Sequence, residues 1–518
     1  MKKGFTLIEL LAVIILLAIV SLIATPIVLN VIDDAKDSAN KRSIEGYARA
    51  IKEAYYNEQV LGKTPEINDE FLANIDTSGG RVTCVSIAYS EEYGVILNKC
   101  QTEEKLNKDY CYLGESHYDC NNKDYLDKAS QYLPTYADNS GANKPKLYDN
   151  MIPVKYDGNN WVYAYSHEEW YNYDNKEWAN AVVLNDGVTK KAGDTISESD
   201  IALWYVWIPR YTYTIFNGNN EGVPAQVIEV KFENGTNSSG TVKCVDNITT
   251  SGETSETCTD STNGSIVNGV STYTHPAFTF GDEQLTGFWV GKFEISGTTD
   301  LVTIKPGVSS LRNQTVSVLY NTIKQMKEDY RLNGDSHMIK NMEWGAIVYL
   351  KQSKYGLGLT DIVINDNSNY LAGGGDGVAY KTNISQSTTG NIYGVYDISG
   401  NSFEYTMGNM IDSNGNFYIV SSGFTSAPED KYYDKYSYGP ANWLHARGKL
   451  GDATKETLIT FGNNTGGWYN DYAYIVSSGD SWFHRGGFYG NGAIAGAFSF
   501  STNNGSSNNE YSSRAILS

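Results

Sequence analysis

The chain is poor in cations, proline and histidine. Its 518 residues carry 40 Lys and Arg against 60 Asp and Glu, with only 11 Pro and six His. The formal net charge of −20 argues against a phosphate-backbone binder, because that affinity comes largely from Lys and Arg neutralising phosphates. No direct nucleic-acid partner is expected, and docking on anionic lipid is disfavoured for the same reason. No HExxH, GxSxG or P-loop pattern occurs. The histidines (His117, His167, His275, His337, His445, His484) are scattered, and lone histidines are usually structural or solvent-facing. Asn365–Asn369 offers oxygen atoms but lacks the glycine and closing glutamate of a calcium loop. No metal and no cofactor are expected.

Cysteine is also sparse. There are six, none in a CxxC pair and none after Cys258. Cys84, Cys100, Cys111 and Cys120 form one cluster, and Cys244 and Cys258 flank a Ser/Thr-rich stretch. The even number, behind an export segment, reads as disulfides in an oxidising compartment. Cys244 and Cys258 suit a hairpin clasp, while the first four allow three pairings and the sequence does not choose between them. A zinc site from Cys111, His117 and Cys120 fits no common spacing.

What is present begins at the N-terminus, MKKGFTLIELLAVIILLAIVSLIATPIVLNVIDD. Leu10 to Leu29 contains no charged residue, and at 1.5 Å per residue it is about 30 Å long, the thickness of a bilayer core. Lys2 and Lys3 set the cytoplasmic side and place everything after Asp33 outside. Glu9 interrupts the apolar run, and a carboxylate at that depth needs a partner. No Lys or Arg lies within helical reach after it. Cleavage after Gly4 would give Phe5 a new amine, which on a neighbouring subunit could pair with Glu9.

The segment KGFTLIEL resembles the class III signal of type IV prepilins and pseudopilins. The resemblance implies cleavage between Gly4 and Phe5 by a prepilin peptidase and N-methylation of Phe5. It also implies that residues 5–31 anchor in the membrane and then pack with other pilin subunits. A secretory signal peptide would be shorter and end in small residues, whereas Ala24-Thr25-Pro26 is a poor site. Beyond Asp33 the pattern turns amphipathic, with Ile44, Tyr47, Ala48, Ile51, Ala54 and Tyr55 at three- and four-residue spacing. A helix over 5–61 would be about 85 Å long.

The expected class is α+β: leader 1–4, helix 5–61, and a small disulfide-containing head over 62–135 with strands near 81–87 and 93–97. A linker at 136–145 and an aromatic hairpin turning at Asp174-Asn175 make up 136–195. A large irregular domain spans 196–518, with a Cys-flanked insertion at 234–273 and helices near 315–331 and 341–354. Trp161, Trp170, Tyr171, Tyr173 and Trp178 read as packing for a β-layer.

Three landmarks in this domain are similar to the formylglycine-generating-enzyme-like branch of the C-type lectin fold. They are Lys340-Asn341-Met342-Glu343-Trp344, the run Asn391 to Tyr405 (NIYGVYDISGNSFEY), and Arg485-Gly486-Gly487 with the closing Ser513-Arg514-Ala515. The oxidases of that family need a late cysteine pair to bind copper. This chain has no cysteine there, so the resemblance implies a scaffold and not that enzyme. Trp344, Asn401, Glu404 and Arg514 then read as scaffold, with Glu404 and Arg514 as a buried pair. Tyr, Gly, Asn and Ser on irregular loops suit recognition surfaces. Trp482, His484, Tyr489, Asn491, Asn503, Asn504 and Tyr511 form the candidate ligand face, for a glycan or a surface protein. The resulting expectation is a minor pilin or pseudopilin displaying a lectin-like adhesin, at the cell membrane or in a pilus. The competing one is a structural pseudopilin of a type II secretion or DNA-uptake filament.

Overall fold

The computed structural model describes residues 6–75, 82–102, 108–215, 224–238, 272–443, 445–460 and 465–518. It also describes the backbone of three short strands between 242 and 265. The fold is α+β, with one long N-terminal helix and a large β-rich region, and it divides into two compact units. One runs to Thr135 and includes Tyr165–His167; the other is Tyr136–Ala164 with Glu168–Ser518.

In the first unit the helix Leu7–Val60 runs unbroken through Pro26. Its 54 residues give a rod about 80 Å long. The rod has two different halves. From Leu7 to Ile32 the described large apolar side chains are exposed, and an 18-residue window reaches a mean hydropathy of 3.0. From Asn40 onward one face is covered: Ile44, Ala48 and Ile51 are buried against Val95, Leu97, Tyr110 and Tyr112. Tyr47, Ala54 and Tyr55 pack at the margin, so the six residues of the amphipathic stripe all meet the head. Polar ties fix the register. Asn40 accepts from Thr102 Oγ1 at 2.7 Å and donates to Tyr110 Oη at 3.3 Å.

The head is a four-stranded antiparallel sheet, Val82–Ser90, Gly94–Thr102, Tyr110–Leu113 and Ser116–Tyr118 in that order. Cys84 stands directly opposite Cys100 and is bonded to it, and Cys111 is bonded to Cys120. That resolves the open pairing and removes both thiols from the zinc alternative. Cys244 faces Cys258 across the strands Val242–Ile248 and Thr254–Asp260.

The second unit is built on two sheets. The larger has eight antiparallel strands: Ser336–Met338, Ala515–Leu517, Gly287–Gly291, Ile201–Pro209, Asn180–Leu184, Met151–Tyr156, Trp161–Tyr163 and Thr195–Ile196. The C-terminal strand therefore pairs between strands that precede it by about two hundred residues in sequence. All nine residues of Ile201–Pro209 are buried, as a continuous apolar run requires of a central strand covered on both faces. The boundary expected at 195/196 is absent: strands from both sides of it form one sheet. The reason is pairing, since Asn180–Leu184 lies against Ile201–Pro209. The expected linker is likewise strapped down. Asn143 donates to Thr286 O at 2.9 Å, and its own carbonyl accepts from Trp207 Nε1 at 3.1 Å. The turn at Asp174-Asn175 is present, closed by Lys176 N to Tyr173 O at 3.0 Å, but only an isolated bridge flanks it.

The helices Val316–Asp329 and Asn341–Lys351 fall where the apolar spacing puts them. Gly345, in the second, is required sterically: a Cβ there would sit 1.8 Å from the Gly451 carbonyl oxygen. The smaller sheet has the order Asp434–Tyr436, Phe403–Met410, Trp482–Arg485 and Phe500–Asn503, with Tyr511–Ser512 also on Phe403–Met410.

Candidate functional site

The smaller sheet gathers most of the expected ligand face. Trp482 lies opposite Asn503 and His484 opposite Ser501, and Tyr511 pairs beside Phe403. Tyr489 and Asn491 follow on the short turn Tyr489–Ile494. The side chains divide into two groups.

Trp482 and His484 are buried, which corrects their expected role. Trp482 stacks on Phe424 at 5.7 Å and meets Phe417 edge-on at 5.4 Å. Gly505, at φ +86°, closes over it, and a Cβ there would come within 2.6 Å of the indole. His484 is wedged between Phe403 and Tyr511, and burial pushes its pKa down to about 3, so it is neutral. Tyr511 is buried too, with its ring on Tyr405 at 4.6 Å. The expectation of a wet face for all three rests on reading them as irregular loops, whereas Trp482 and His484 lie on a strand buried at every position and Tyr511 on a buried strand beside it.

Tyr489, Asn491, Asn503 and Asn504 are half-exposed. The asparagines are held by local bonds. Asn491 Oδ1 accepts from Phe488 N at 3.0 Å, Asn504 Oδ1 from Ser506 N at 3.0 Å, and Asn503 Oδ1 from Tyr405 Oη at 2.7 Å. These bonds set loop shape through the amide oxygens and leave the amide nitrogens of Asn491 and Asn504 as donors for a ligand. Tyr489 packs edge-on to Tyr370 at 4.9 Å.

The same unit holds a buried charged centre. Arg514 donates to Glu404 at 2.9 and 2.5 Å and to the Gly291 and Tyr396 carbonyls at 2.8 and 2.9 Å. Burial first, then Glu404 and Asp397, push the Glu294 carboxyl well above its ordinary range. Glu294 Oε2 has no hydrogen-bond partner, which suits a protonated acid. Trp344 Nε1 donates to Ala497 O at 2.9 Å, and Asn401, at φ +63°, donates to Ser310 Oγ at 2.8 Å. All four landmark side chains thus tie the interior together, with none at the surface.

At the opposite end of the chain, Gly4 and Phe5 lie outside the described residues. Thr6 is the N-cap of the long helix, and Glu9 reaches back to it. Glu9 Oε2 accepts from Thr6 N at 2.9 Å and from Thr6 Oγ1 at 2.8 Å, while Thr6 Oγ1 accepts from Glu9 N at 3.3 Å. Thr6 is absent from the residues expected at this site. Its signal in the sequence is the T-x-x-E spacing of a capping box ahead of an apolar run. Glu9 is exposed, among bare apolar side chains.

Residues 1–25 match the prokaryotic N-terminal methylation motif. No curated protein matches the chain. Among solved structures, PvdO from Pseudomonas aeruginosa is similar over 64% of this chain and 99% of that one. The identity is 9% and the TM-score 0.23, too low to assign a fold. The methylation motif and the long apolar helix together mark a type IV pilin signal. The motif implies processing by a prepilin peptidase and assembly with other pilins, and it fits anchoring in a membrane. Its placement explains the bare half of the helix: that surface has no cover within the described chain and is suited first to lipid, then to neighbouring helices.

Proposed function

We propose that this chain is a minor type IV pilin or pseudopilin that displays its larger unit outside the cell as a ligand-binding head. The observation that carries the reading is the methylation motif on a helix whose first half is bare and whose second half bears a head. In this account the peptidase cuts after Gly4, Phe5 is methylated, and Glu9 exchanges its Thr6 bonds for the amine of a neighbouring subunit. Residues 5–31 hold the chain in the membrane until it enters a filament.

The larger unit is read as a C-type-lectin-like domain of the formylglycine-generating-enzyme-like branch. The interior roles of Trp344, Asn401, Glu404 and Arg514 support that reading. The chain is read as a non-enzyme, since the late cysteine pair of the related oxidases is missing. With Trp482, His484 and Tyr511 in the interior, the ligand face reduces to Tyr489, Asn491, Asn503 and Asn504. Its ligand class is a glycan or a surface protein.

Mass spectrometry of the membrane-extracted chain tests the first half. The expected N-terminus is Phe5 carrying one added methyl group, and an intact Met1 would sink the pilin reading. A Glu9→Val variant should remain in the membrane and be lost from sheared filaments. A chain that enters filaments but binds no glycan or surface protein would instead be a structural pseudopilin.

A further inference from the structure

The larger unit contains six arginines, and five of them are accounted for. Arg210, Arg331 and Arg514 pair with Glu233, Asp186 and Glu404. Arg447 and Arg485 are wholly buried and donate to backbone carbonyls. Arg312 is partly exposed and forms no ion pair among the described residues. Of its five N–H groups only two have acceptors: Nη1 donates to the Asn509 carbonyl, and Nη2 to Ser309 Oγ at 3.4 Å. The side chain is nonetheless held in place. Its guanidinium lies 3.7 Å over the Tyr370 ring, an arrangement that leaves the N–H donors at the guanidinium edge. The backbone is fastened on both sides, by Leu311 N to Ile295 O at 2.8 Å and by Asn313 N to Asn508 O at 3.0 Å.

The same ring supports Tyr489, which meets Tyr370 edge-on at 4.9 Å. The cation and the tyrosine of the ligand face therefore share one support, which keeps them within the span of a disaccharide. Tyr489 N donates to Asn401 O at 3.0 Å, and Ser310 N to Tyr370 O at 3.0 Å, so the segments that carry them are tied to the fold. No large apolar side chain in segments 309–313, 367–371, 488–491 or 508–510 stands exposed; Asn313, Asn369 and Asn509 do. Glu510 is near enough for its charge to act on Tyr370, yet it does not pair with Arg312.

The geometry points to Arg312 and Tyr489 as an anchor pair for a sugar that bears a single carboxylate. The edge of the guanidinium takes the carboxylate oxygens, the Tyr489 ring covers a C–H face of the sugar, and the Asn491 amide nitrogen donates to a hydroxyl. One uncompensated cation balances one negative charge, whereas a polysulfated chain would be repelled by a protein of net charge −20. A protein partner presenting an Asp or Glu is the poorer fit. The centre of a protein interface is apolar and aromatic, and this surface exposes no large apolar side chain. The inference deepens the ligand-face reading and rests on it, since it names the class of ligand that the face at Tyr489 and Asn491 selects.

The test presents the full processed chain, in detergent micelles, to an array of neutral, uronate-bearing, sialylated and sulfated glycans. Hits are titrated by calorimetry, each carboxylated sugar beside its methyl ester. Esterification should weaken binding at least about tenfold, the ordinary weight of a hydrogen bond to a charged group. Because Arg312 also ties down Asn509, the ester keeps this reading independent of any effect on folding. Arg312→Gln should lose a similar factor, and Arg312→Lys, charged but without the planar fork, should recover part of it. Glu510→Gln should tighten binding, since it removes a like charge beside the carboxylate. Equal affinity for acid and ester, a preference for neutral or sulfated glycans, unchanged binding in Arg312→Gln, or no glycan bound at all would overturn the anchor. Entry into filaments, read by co-purification, separates the two ideas. Filament entry without carboxylate-dependent binding removes the anchor alone, and carboxylate-dependent binding without filament entry removes the display reading alone.

Discussion

At the scale of single residues, buried charge is the main risk in the larger unit. Arg514 neutralises Glu404 where neither side chain touches water. Removing the guanidinium leaves a carboxylate unpaired in the interior, so Arg514→Met should cost about 3–5 kcal/mol, read by urea unfolding. A loss below about 1 kcal/mol would mean that Glu404 is already neutral. Glu456 is a different case. It accepts from Tyr349 Oη, from Tyr213 Oη at 3.1 Å and from Gly451 N at 2.6 Å, and burial nonetheless pushes its pKa up to about 8. A raised acid pKa means that the folded state keeps a proton the unfolded chain has released. Its contribution to stability is therefore whole below the ordinary value of 4.5 and falls as pH rises towards 8. The slope is at most about 1.4 kcal/mol per pH unit. Glu456→Gln should flatten the fall in thermal midpoint across that range, and an unchanged slope would show that the carboxyl ionises freely in the fold.

At the scale of elements, the two disulfides do unequal work. Cys84 and Cys100 are sixteen residues apart on directly paired strands, and Cys111 and Cys120 nine. Loop closure over about 15 residues is worth about 3 kcal/mol, and a small head has little core to replace it. The double variant Cys84→Ser/Cys100→Ser should lose about that much stability in the head, and a loss under about 1 kcal/mol would count against the chain-entropy account. What is legible in the sequence follows the same division of range. The stripe from Ile44 to Tyr55 repeats within one helix, so apolar spacing alone reveals its buried face. The helices at 316–329 and 341–351 are legible for the same reason. The eight-stranded sheet is not, because its order rests on pairings such as Trp289 with Leu517, far apart in sequence. Trp482 is misplaced by a sequence reading for a related cause. Its strand, Trp482–Arg485, is buried at every position, and no alternation separates an inner face from an outer one.

At the scale of the whole molecule, each unit has its own core. The smaller is built on Ile44, Ile51, Val95 and Leu97 and is crossed by disulfides; the larger holds the buried acids and no cysteine beyond Cys258. Their sensitivities should therefore be separable. Scanning calorimetry of the full chain in detergent should give two transitions, and two agents should move them independently. A reductant should lower chiefly the transition of the smaller unit, because it cleaves the disulfides Cys84–Cys100 and Cys111–Cys120 to thiols. Raising the pH from about 5 to about 8 should lower chiefly the larger unit's transition, because the unfolded chain then releases the Glu456 proton that the fold retains. His337 adds to that fall. Burial depresses it, but Glu343 and Asp335 outweigh burial and raise its pKa, so its stabilising charge is also lost with rising pH. One merged transition that both agents shift equally would refute the division into two cooperative units. Two independent transitions would match the proposed role, in which a helix-bearing head is built into a filament while a separately stable domain is displayed from it.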